Sequence, residues 1–442
     1  MKRFGKVALA LAASLSMVLA GCSSGSSGSS GGSATSLDDA LKAGGTITYW
    51  TWTPQAKTQV EAFQKEYPNV HVNLVTTSNK TQYTQLQNAI KAGTGAPDVA
   101  QIEYFALPQF ALPGSLVDLS QYGLRDYEKD YTASTWAQVN VGSGLYGLPQ
   151  DSGPMALFYN KQVFDQYGIA VPKTWDEYIA AAKKLHAADP TKYIAADNGD
   201  AGGVSSMIWD AGGRPYTTSS DGKSVKINLQ DEGTKKWTAV WNQLLQGKLI
   251  SNIEGWTDDW YKALGNGTIA TLVTGAWMPG VFSESVPDGK GKWAVAPMPT
   301  YDGGTAVTAE NGGSTESVLK QSSNPALAAA FIRWLNHGNG IKPFLDSGGF
   351  PATVADLNAS SFKDQKVDYF GGQQIYQVLT AAAGSVGKGW SYLPYQQYAN
   401  SIFNDTVGKA YANGSDLNAG LVDWQKQLVD YGNQQGFTVT TG

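Results

Sequence analysis

A single cysteine, Cys22, stands in a chain of 442 residues. No disulfide can form within the chain, so the fold rests on its apolar core alone. Histidine is almost as scarce. His71, His186 and His337 lie far apart, and no HExxH pair or second cysteine accompanies them. That excludes the common zinc patterns, and neither a metal nor any other cofactor is expected. Charge is thin as well: 16% of residues, against about 25% in an ordinary soluble protein. The formal balance is −5, and residues 1–21 hold Lys2, Arg3 and Lys6 with no acid, so removing those three positive charges leaves −8. A nucleic-acid backbone needs a basic surface, and no nucleic-acid partner is expected. Long apolar runs are missing too. The stretch from Val7 to Ala20 falls short of the roughly 20 residues that span a bilayer, and no later stretch could span one.

What is abundant is aromatic: 14 Trp, 22 Tyr and 14 Phe, beside 51 Gly. With 42% hydrophobic residues, the length suffices for two or three domains and a large core. A surface poor in charge and rich in indole and phenol rings suits neutral polar ligands better than ionic ones.

The first 36 residues read as an address and a tether. Residues 1–6 (MKRFGK) are a basic leader, Val7 to Ala20 an apolar segment of signal-peptide length, and Leu19-Ala20-Gly21-Cys22 a lipobox. There a bacterial signal peptidase cuts and Cys22 receives diacylglycerol. Ser23 to Ser33 are almost pure Gly and Ser, a flexible coil. Over residues 23–36 its reach is about 20 Å, enough to hold a folded body near a membrane without orienting it.

Beyond the tether the pattern is strand and helix in turn. Gly45–Trp50 reads as a strand, and Thr53-Pro54 as the start of a helix carrying Val60, Phe63 and Tyr67. Val70, Val72 and Leu74 alternate as a second strand. Tyr83, Leu86 and Ile90 form a second helical stripe ending at Gly93, and Asp98 to Ile102 make a third strand. This order predicts a parallel α/β sheet. Ala156 to Asn160 reads as a further strand, and Thr174-Trp175-Asp176-Glu177 as a capping box opening a helix through Leu185. Trp237, Val240, Trp241, Leu244 and Leu245 share one helical face. Asp258 to Leu264 is a short helix, Lys292 to Val295 a strand, and Asn324-Pro325 opens a helix stopped by Gly338. The remainder, to Gln435, reads as helical with glycine breaks.

Several tempting motifs fail on context. Gly142-Ser143-Gly144-Leu145-Tyr146-Gly147 matches GxGxxG, but Leu148-Pro149 follows where a dinucleotide fold needs a helix. Gly222-Lys223-Ser224 lacks the first glycine of a P-loop and reads as a turn. Glycoside hydrolysis needs two carboxylates about 5–10 Å apart, one of them protonated. Glu103, Asp151, Asp210, Asp258, Asp259 and Glu310 lie near loops without a recognisable catalytic pattern. No catalytic residue is expected. The tryptophans divide by setting. Trp237, Trp241, Trp260, Trp334 and Trp424 sit in helical stripes and read as core. Trp50, Trp52, Trp256, Trp277 and Trp390 follow a strand end or stand among Gly and Pro, as in Gly275-Ala276-Trp277-Met278-Pro279-Gly280. There an indole can lie flat on the apolar C–H face of a sugar while nearby carboxylates and amides take the hydroxyls.

The lipobox and Gly/Ser tether, followed by Gly45-Thr46-Ile47-Thr48-Tyr49-Trp50-Thr51-Trp52, resemble the start of an extracellular sugar-binding lipoprotein of an ABC transporter. In order along the chain come Glu66-Tyr67-Pro68-Asn69-Val70, Gly95-Ala96-Pro97-Asp98-Val99, Tyr146-Gly147-Leu148-Pro149, Leu157-Phe158-Tyr159-Asn160-Lys161, Pro172-Lys173-Thr174-Trp175-Asp176-Glu177-Tyr178 and Gly275-Ala276-Trp277. Each string alone is modest; their order and spacing over residues 45–442 make the resemblance. The tether and the segment Gly389 to Gly408 are most similar to actinobacterial oligosaccharide binders. The resemblance implies an α/β, two-lobed, periplasmic-binding-protein-like fold with hinge strands and a helix-rich C-terminal part. It implies a ligand site of Trp52, Glu103, Tyr104, Asp151, Trp277, Asn311, Gly312 and Gly313, with Trp256, Phe350 and Trp390 as further candidates.

The expected organisation is a signal peptide at 1–21 and a lipidated Cys22 with its tether at 22–36. One lobe is expected from 37–155 with 306–353, the other from 156–305 with 354–442. The expected function is the substrate-binding component of an ABC importer, not an enzyme. It would capture a neutral di- to tetrasaccharide (a β-galactoside, a xylo-oligosaccharide or an α-1,6-linked chain) outside the cell. Expected partners are the oligosaccharide, the ABC permease subunits and, through Cys22, the outer face of the cell membrane; a monomer is expected. The alternatives are a cell-surface glycan-active enzyme and a sugar-sensing lipoprotein.

Overall fold

The computed structural model describes residues 36–442 apart from residue 305. The expected signal peptide, the lipidated Cys22 and all of the tether before Ser36 lie outside the described residues. Ser36 caps the first helix, Leu37–Ala43, by accepting from Asp39 N.

The strands Gly45–Thr51, Val70–Thr76 and Val99–Glu103 pair in parallel, linked by the helices Ala56–Glu66 and Asn79–Ala92. The causes are those read in the sequence. Val70 and Val72 alternate into the core, Val60 and Phe63 face it from the helix, and Gly93 closes the second helix in the left-handed conformation. The helix Ala56–Glu66 starts later than Thr53-Pro54 predicts. Thr53 turns its hydroxyl to Gln101 Oε1 at 2.9 Å instead of capping, and the helix begins at Ala56. Two strands from elsewhere complete this sheet, Ser314–Val318 and Leu148–Pro149, both antiparallel to their neighbours.

A second sheet has Met155–Asn160 in its centre, between Thr271–Gly275 and Trp293–Ala296. A third joins Tyr216–Thr218, Ser224–Ile227 and the C-terminal strand Thr438–Thr441. Helical periodicity carries no trace of that last strand, because its partner edge comes from a distant segment.

Three apolar cores follow. One gathers residues between 37 and 148 and between 318 and 352, among them Ile47, Phe63, Leu86, Ile102, Phe331 and Trp334. A second surrounds Trp175, Trp237, Trp241, Trp424 and Leu428, and a third Phe158, Trp260, Phe282, Trp293 and Phe370. The helical-stripe tryptophans are therefore all core, each worth about 3–5 kcal/mol if cut to alanine. Among the described residues, no helix is long and apolar enough to cross a membrane.

The GxGxxG string forms the hairpin Asn140–Val141 and Gly144–Leu145 and runs into the strand Leu148–Pro149. A Cβ on Gly147 would lie 2.7 Å from Glu316 O and collide with Thr315 Oγ1. The last glycine serves a close backbone crossing, not a phosphate. Gly147→Ala is expected to cost about 1–3 kcal/mol by overpacking. Urea unfolding checks this, and an unchanged midpoint would contradict the crossing.

Candidate functional site

The chain passes three times between the first core and the other two, at 150–154, 308–313 and 350–353. The passages lie side by side. Asp151 bridges Pro351 and Pro154 bridges Glu310. Asn311 N donates to Gly153 O at 2.7 Å, and Ser152 N to Phe350 O at 3.4 Å. Three adjacent crossings make a hinge of the kind that permits domain closure.

The carboxyl ends of the parallel strands open toward these passages, where open α/β sheets place ligands. Trp52, Glu103 and Tyr104 stand at those strand ends. A buried polar chain supports them. Thr51 Oγ1 donates to Gln101 Oε1 at 2.6 Å; Gln101 Nε2 donates to Gln150 Oε1 at 2.8 Å and to Ser314 Oγ at 2.9 Å. Ser314 donates from N and Oγ to Asp151 Oδ1, at 2.7 and 2.9 Å, and Tyr104 OH donates to Asp151 O at 2.8 Å.

On the opposite wall, Trp277 Nε1 donates to Asn311 O at 2.7 Å, and Asn311 Nδ2 reaches Ser206 Oγ at 3.2 Å. Gly312 and Gly313 hold φ of +85° and +95°. Their Cβ atoms would lie 3.1 Å from Trp277 Nε1 and 2.5 Å from Tyr104 Cε2. Only glycine fits a turn pressed between an indole and a phenol. Tyr104, Asp151, Trp277, Asn311, Gly312 and Gly313 thus form one cluster. Trp256 borders it. Its ring lies 5.7 Å from that of Trp277 at 31° and 5.2 Å from that of Trp260. It is 57% exposed and has φ +67°. A left-handed tryptophan is a genuine backbone outlier, and such strain collects at ligand clamps.

Tyr83 joins Trp52 and Glu103 to each other, its ring meeting Trp52 at 6.2 Å and its hydroxyl donating to Glu103 Oε2 at 2.9 Å. The aromatic line continues from Tyr83 to Phe105 at 6.0 Å and on to Tyr392 at 6.5 Å, which arrives from beyond the third passage.

Phe350 lies apart from the cluster, and Trp390 touches only the far end of the aromatic line, its ring 5.8 Å from that of Tyr392. Phe350 is in the third core against Phe362, and only its carbonyl joins the hinge. Trp390 is buried and stacks face to face on Trp209, with centroids 5.0 Å apart and planes at 1°. Trp50 is half-buried beside the first core. Gln101, Gln150, Ser314, Tyr83, Phe105 and Tyr392 were not singled out in the sequence. Of these only Tyr392 had a cue, its place two residues after Trp390 in the same glycine-rich stretch.

The carboxylates around the hinge are hard to ionise. Burial pushes Glu103 up to about 7, with the charge of Asp151 adding to it, and pushes Asp151 up to about 6. Glu310 and Glu316 rise to about 7 for the same reason. Their oxygens are already taken. Glu310 accepts from Ser134, Ser152 and Gly153, and Glu316 from Tyr49 OH at 2.7 Å and Asn336 Nδ2 at 2.5 Å. Asp210 is sealed in the second core, with both oxygens unpartnered and burial holding its carboxyl far above the usual range. Among the described residues, no group of three His, Cys, Asp or Glu is placed to hold a metal.

The family model for bacterial extracellular solute-binding proteins matches residues 49–336. The chain belongs to that family. A solved structure of the ABC transporter associated binding protein of B. animalis subsp. lactis Bl-04, in complex with β-1,6-galactobiose, is 45% identical. It superposes with a TM-score of 0.81 over 89% of this chain and 99% of its own. The galacto-N-biose/lacto-N-biose I-binding protein of Bifidobacterium longum, in complex with lacto-N-biose, is 29% identical with a TM-score of 0.79, covering 90% of this chain and 99% of its own. The arabinooligosaccharide-binding protein of Bacillus subtilis (strain 168) is 27% identical over 399 residues, 86% of this chain and 88% of its own. These relatives are binding proteins rather than enzymes. The fold of this solute-binding protein is the two-lobed one that the sequence implied, and its function is that of the sugar-binding component of an ABC transporter.

Proposed function

We propose that this solute-binding protein captures a neutral oligosaccharide of two to four rings between its lobes, 37–155 with 306–353 and 156–305 with 354–442, and delivers it to the permease without altering it. The observation that carries the reading is the facing of the Trp277–Trp256 pair and the Tyr104–Asp151 pair across the turn 311–313. Indole faces suit the C–H side of a pyranose, and buried acceptors discriminate its hydroxyls, because an unmatched buried polar group is costly. The three adjacent passages support the division into lobes. Glu310 is fully buried with its oxygens engaged, which speaks against a hydrolase pair at the hinge. The lipobox supports anchoring through Cys22 at the outer membrane face, with the folded part acting as a monomer.

Among sugars, β-1,6-galactobiose is the first choice, given what the 45%-identical protein was solved with. Titration calorimetry against β-1,6-galactobiose, lacto-N-biose and an arabinooligosaccharide tests this. Saturable binding near one sugar per chain is expected, tightest for the β-1,6 disaccharide. Release of monosaccharide at catalytic amounts of protein would defeat the receptor reading in favour of a glycan-active enzyme.

A further inference from the structure

The two glycine strings that only imitate nucleotide motifs meet each other. One forms the hairpin Asn140–Val141 and Gly144–Leu145, whose Val141 and Leu145 pack with the first core. The other lies in residues 219–222, the tip between the strands Tyr216–Thr218 and Ser224–Ile227, whose Tyr216, Val225 and Ile227 lie in the second core. A Cβ on Gly142 would lie 2.8 Å from Ser220 O, and one on Gly222 would lie 2.7 Å from Leu112 Cδ2. Leu112 ends the helix Leu107–Ala111, which packs against Asn140–Val141. Phe105, Gln109 and Leu112 follow the i, i+4, i+7 spacing of one helical face. Each of them meets the second side. Phe105 meets Tyr392 at 6.5 Å, Gln109 Nε2 donates to Gln397 Oε1 at 3.3 Å, and Leu112 lies against Gly222. Gln87, from the helix Asn79–Ala92, donates to the same Gln397 oxygen at 3.1 Å. The two sides thus touch along a seam that starts at the end of the aromatic line and shares no residue with the cluster around Trp277.

We propose that this seam is a latch: the turn 219–222 seats on Gly142 and Leu112 as the lobes close on a sugar, and the two glycines set how closely the lobes meet. This rests on the reading that the lobes close over a ligand. Both turns are braced. Gly222 N donates to Ser219 O at 2.8 Å, Ser224 N to Ser219 Oγ at 2.9 Å, and Lys223 N to Asp221 Oδ1 at 3.1 Å. Arg125 holds the facing hairpin, donating from Nη1 to Asn140 Oδ1 at 3.0 Å and from Nη2 to Ser143 O. The contact at Gly142 is with a backbone carbonyl, which has no rotamer to change, so a Cβ there must push the two sides apart. The contact at Gly222 is softer, because the Leu112 side chain can turn away. Contacts made only when the lobes meet add to affinity without touching the sugar, since apparent affinity scales with the fraction of molecules able to close.

The test compares the full chain with Gly142→Asn, Gly93→Asn and Gln397→Ala, by β-1,6-galactobiose titration, by the dissociation rate of that sugar, and by small-angle scattering with and without it. Asparagine tolerates the left-handed backbone that Gly142 (φ +60°) and Gly93 (φ +73°) both hold. A Cβ on Gly93 meets nothing within 4 Å, so Gly93→Asn carries the backbone cost alone. Gly142→Asn should bind about tenfold more weakly, with the loss in faster dissociation, and should scatter as a more open particle in both conditions. Gly93→Asn should bind and scatter as the wild type does. Gln397→Ala removes the acceptor shared by Gln87 and Gln109 without touching a turn, so it keeps the proposal testable even if Gly142→Asn does not fold. It should weaken binding about threefold. Wild-type affinity and scattering in both seam variants, or in Gln397→Ala if it alone folds, would overturn the latch. If the wild type binds no sugar, the capture reading fails, and sugar-free scattering of Gly142→Asn against Gly93→Asn still decides: a more open particle upholds the latch, and an identical one overturns it.

Discussion

Trp277→Ala is expected to weaken sugar binding tenfold or more, about 1.4 kcal/mol. Two losses add. The indole is one of two flat apolar faces on its wall of the cluster, and alanine leaves a pyranose only that of Trp256 to lie on. The indole N–H also holds Asn311 O at 2.7 Å, and so holds in place the turn whose glycines separate it from Tyr104. Without it Asn311 O loses its partner and the turn loses one wall, which disperses the polar groups that take the hydroxyls. The fold should survive, because Trp277 is only half-buried and caps the short helix Met278–Ser285 without a side-chain bond. Trp277→Phe separates the two losses, keeping a ring and deleting the N–H, and should fall between alanine and the wild type. Calorimetry measures all three. An alanine variant with wild-type affinity and wild-type melting would remove Trp277 from the site.

Local chemistry in this chain was legible. The strand–helix alternation of residues 45–102, the capping box at Thr174 and the helical tryptophan stripes each rest on contacts within a few residues. The structure realises them with Glu177 N donating to Thr174 Oγ1 at 3.2 Å and Glu177 Oε2 accepting from Lys173 N at 2.7 Å. What stayed hidden is non-local. Ser314–Val318 enters the first sheet from far along the chain, and the Gln101–Gln150–Ser314–Asp151 network joins residues that share no pattern in sequence.

Glycine context also served two purposes that the sequence does not separate. Around Gly312-Gly313 it lets a turn pass between two rings near the hinge. Around Trp390 it lets the backbone fold over the second core, where Gly387 O accepts from Trp209 Nε1 at 2.6 Å and Gly389 takes φ +81° beside Arg214. The same small residues that expose Trp256 thus tuck Trp390 away. A family resemblance marks such segments; only the register of distant contacts decides which way the ring turns.

The protein is expected to be more stable near pH 5 than at pH 8, by several kcal/mol, which is the largest effect anticipated here. Glu103, Glu310 and Glu316 rise to about 7 in the fold from an ordinary 4.5, and Asp151 to about 6 from 3.8. A raised carboxyl binds its proton more tightly in the folded chain than in the unfolded one. Its contribution is complete below the unfolded value and drains away as pH climbs to the folded value. For each glutamate the window is therefore about 4.5 to 7, and the loss on the order of 3 kcal/mol. The groups do not add fully, because Asp151 is a shared neighbour that raises all three glutamates. Below the window the opposite sign takes over. The Thr191 hydroxyl holds Asp189 under its usual value, and the Ser219 hydroxyl does the same for Asp221, so stability falls again once these are protonated. Melting temperature followed from pH 4 to 8.5 should peak near 5 and decline toward 8. Glu316→Gln keeps an acceptor for Tyr49 and removes one ionisation, so it should flatten part of that decline. A melting temperature that is constant or rises across this range would show that water or a counter-charge reaches these carboxylates, and that the hinge is not the dry, anion-poor joint its packing describes.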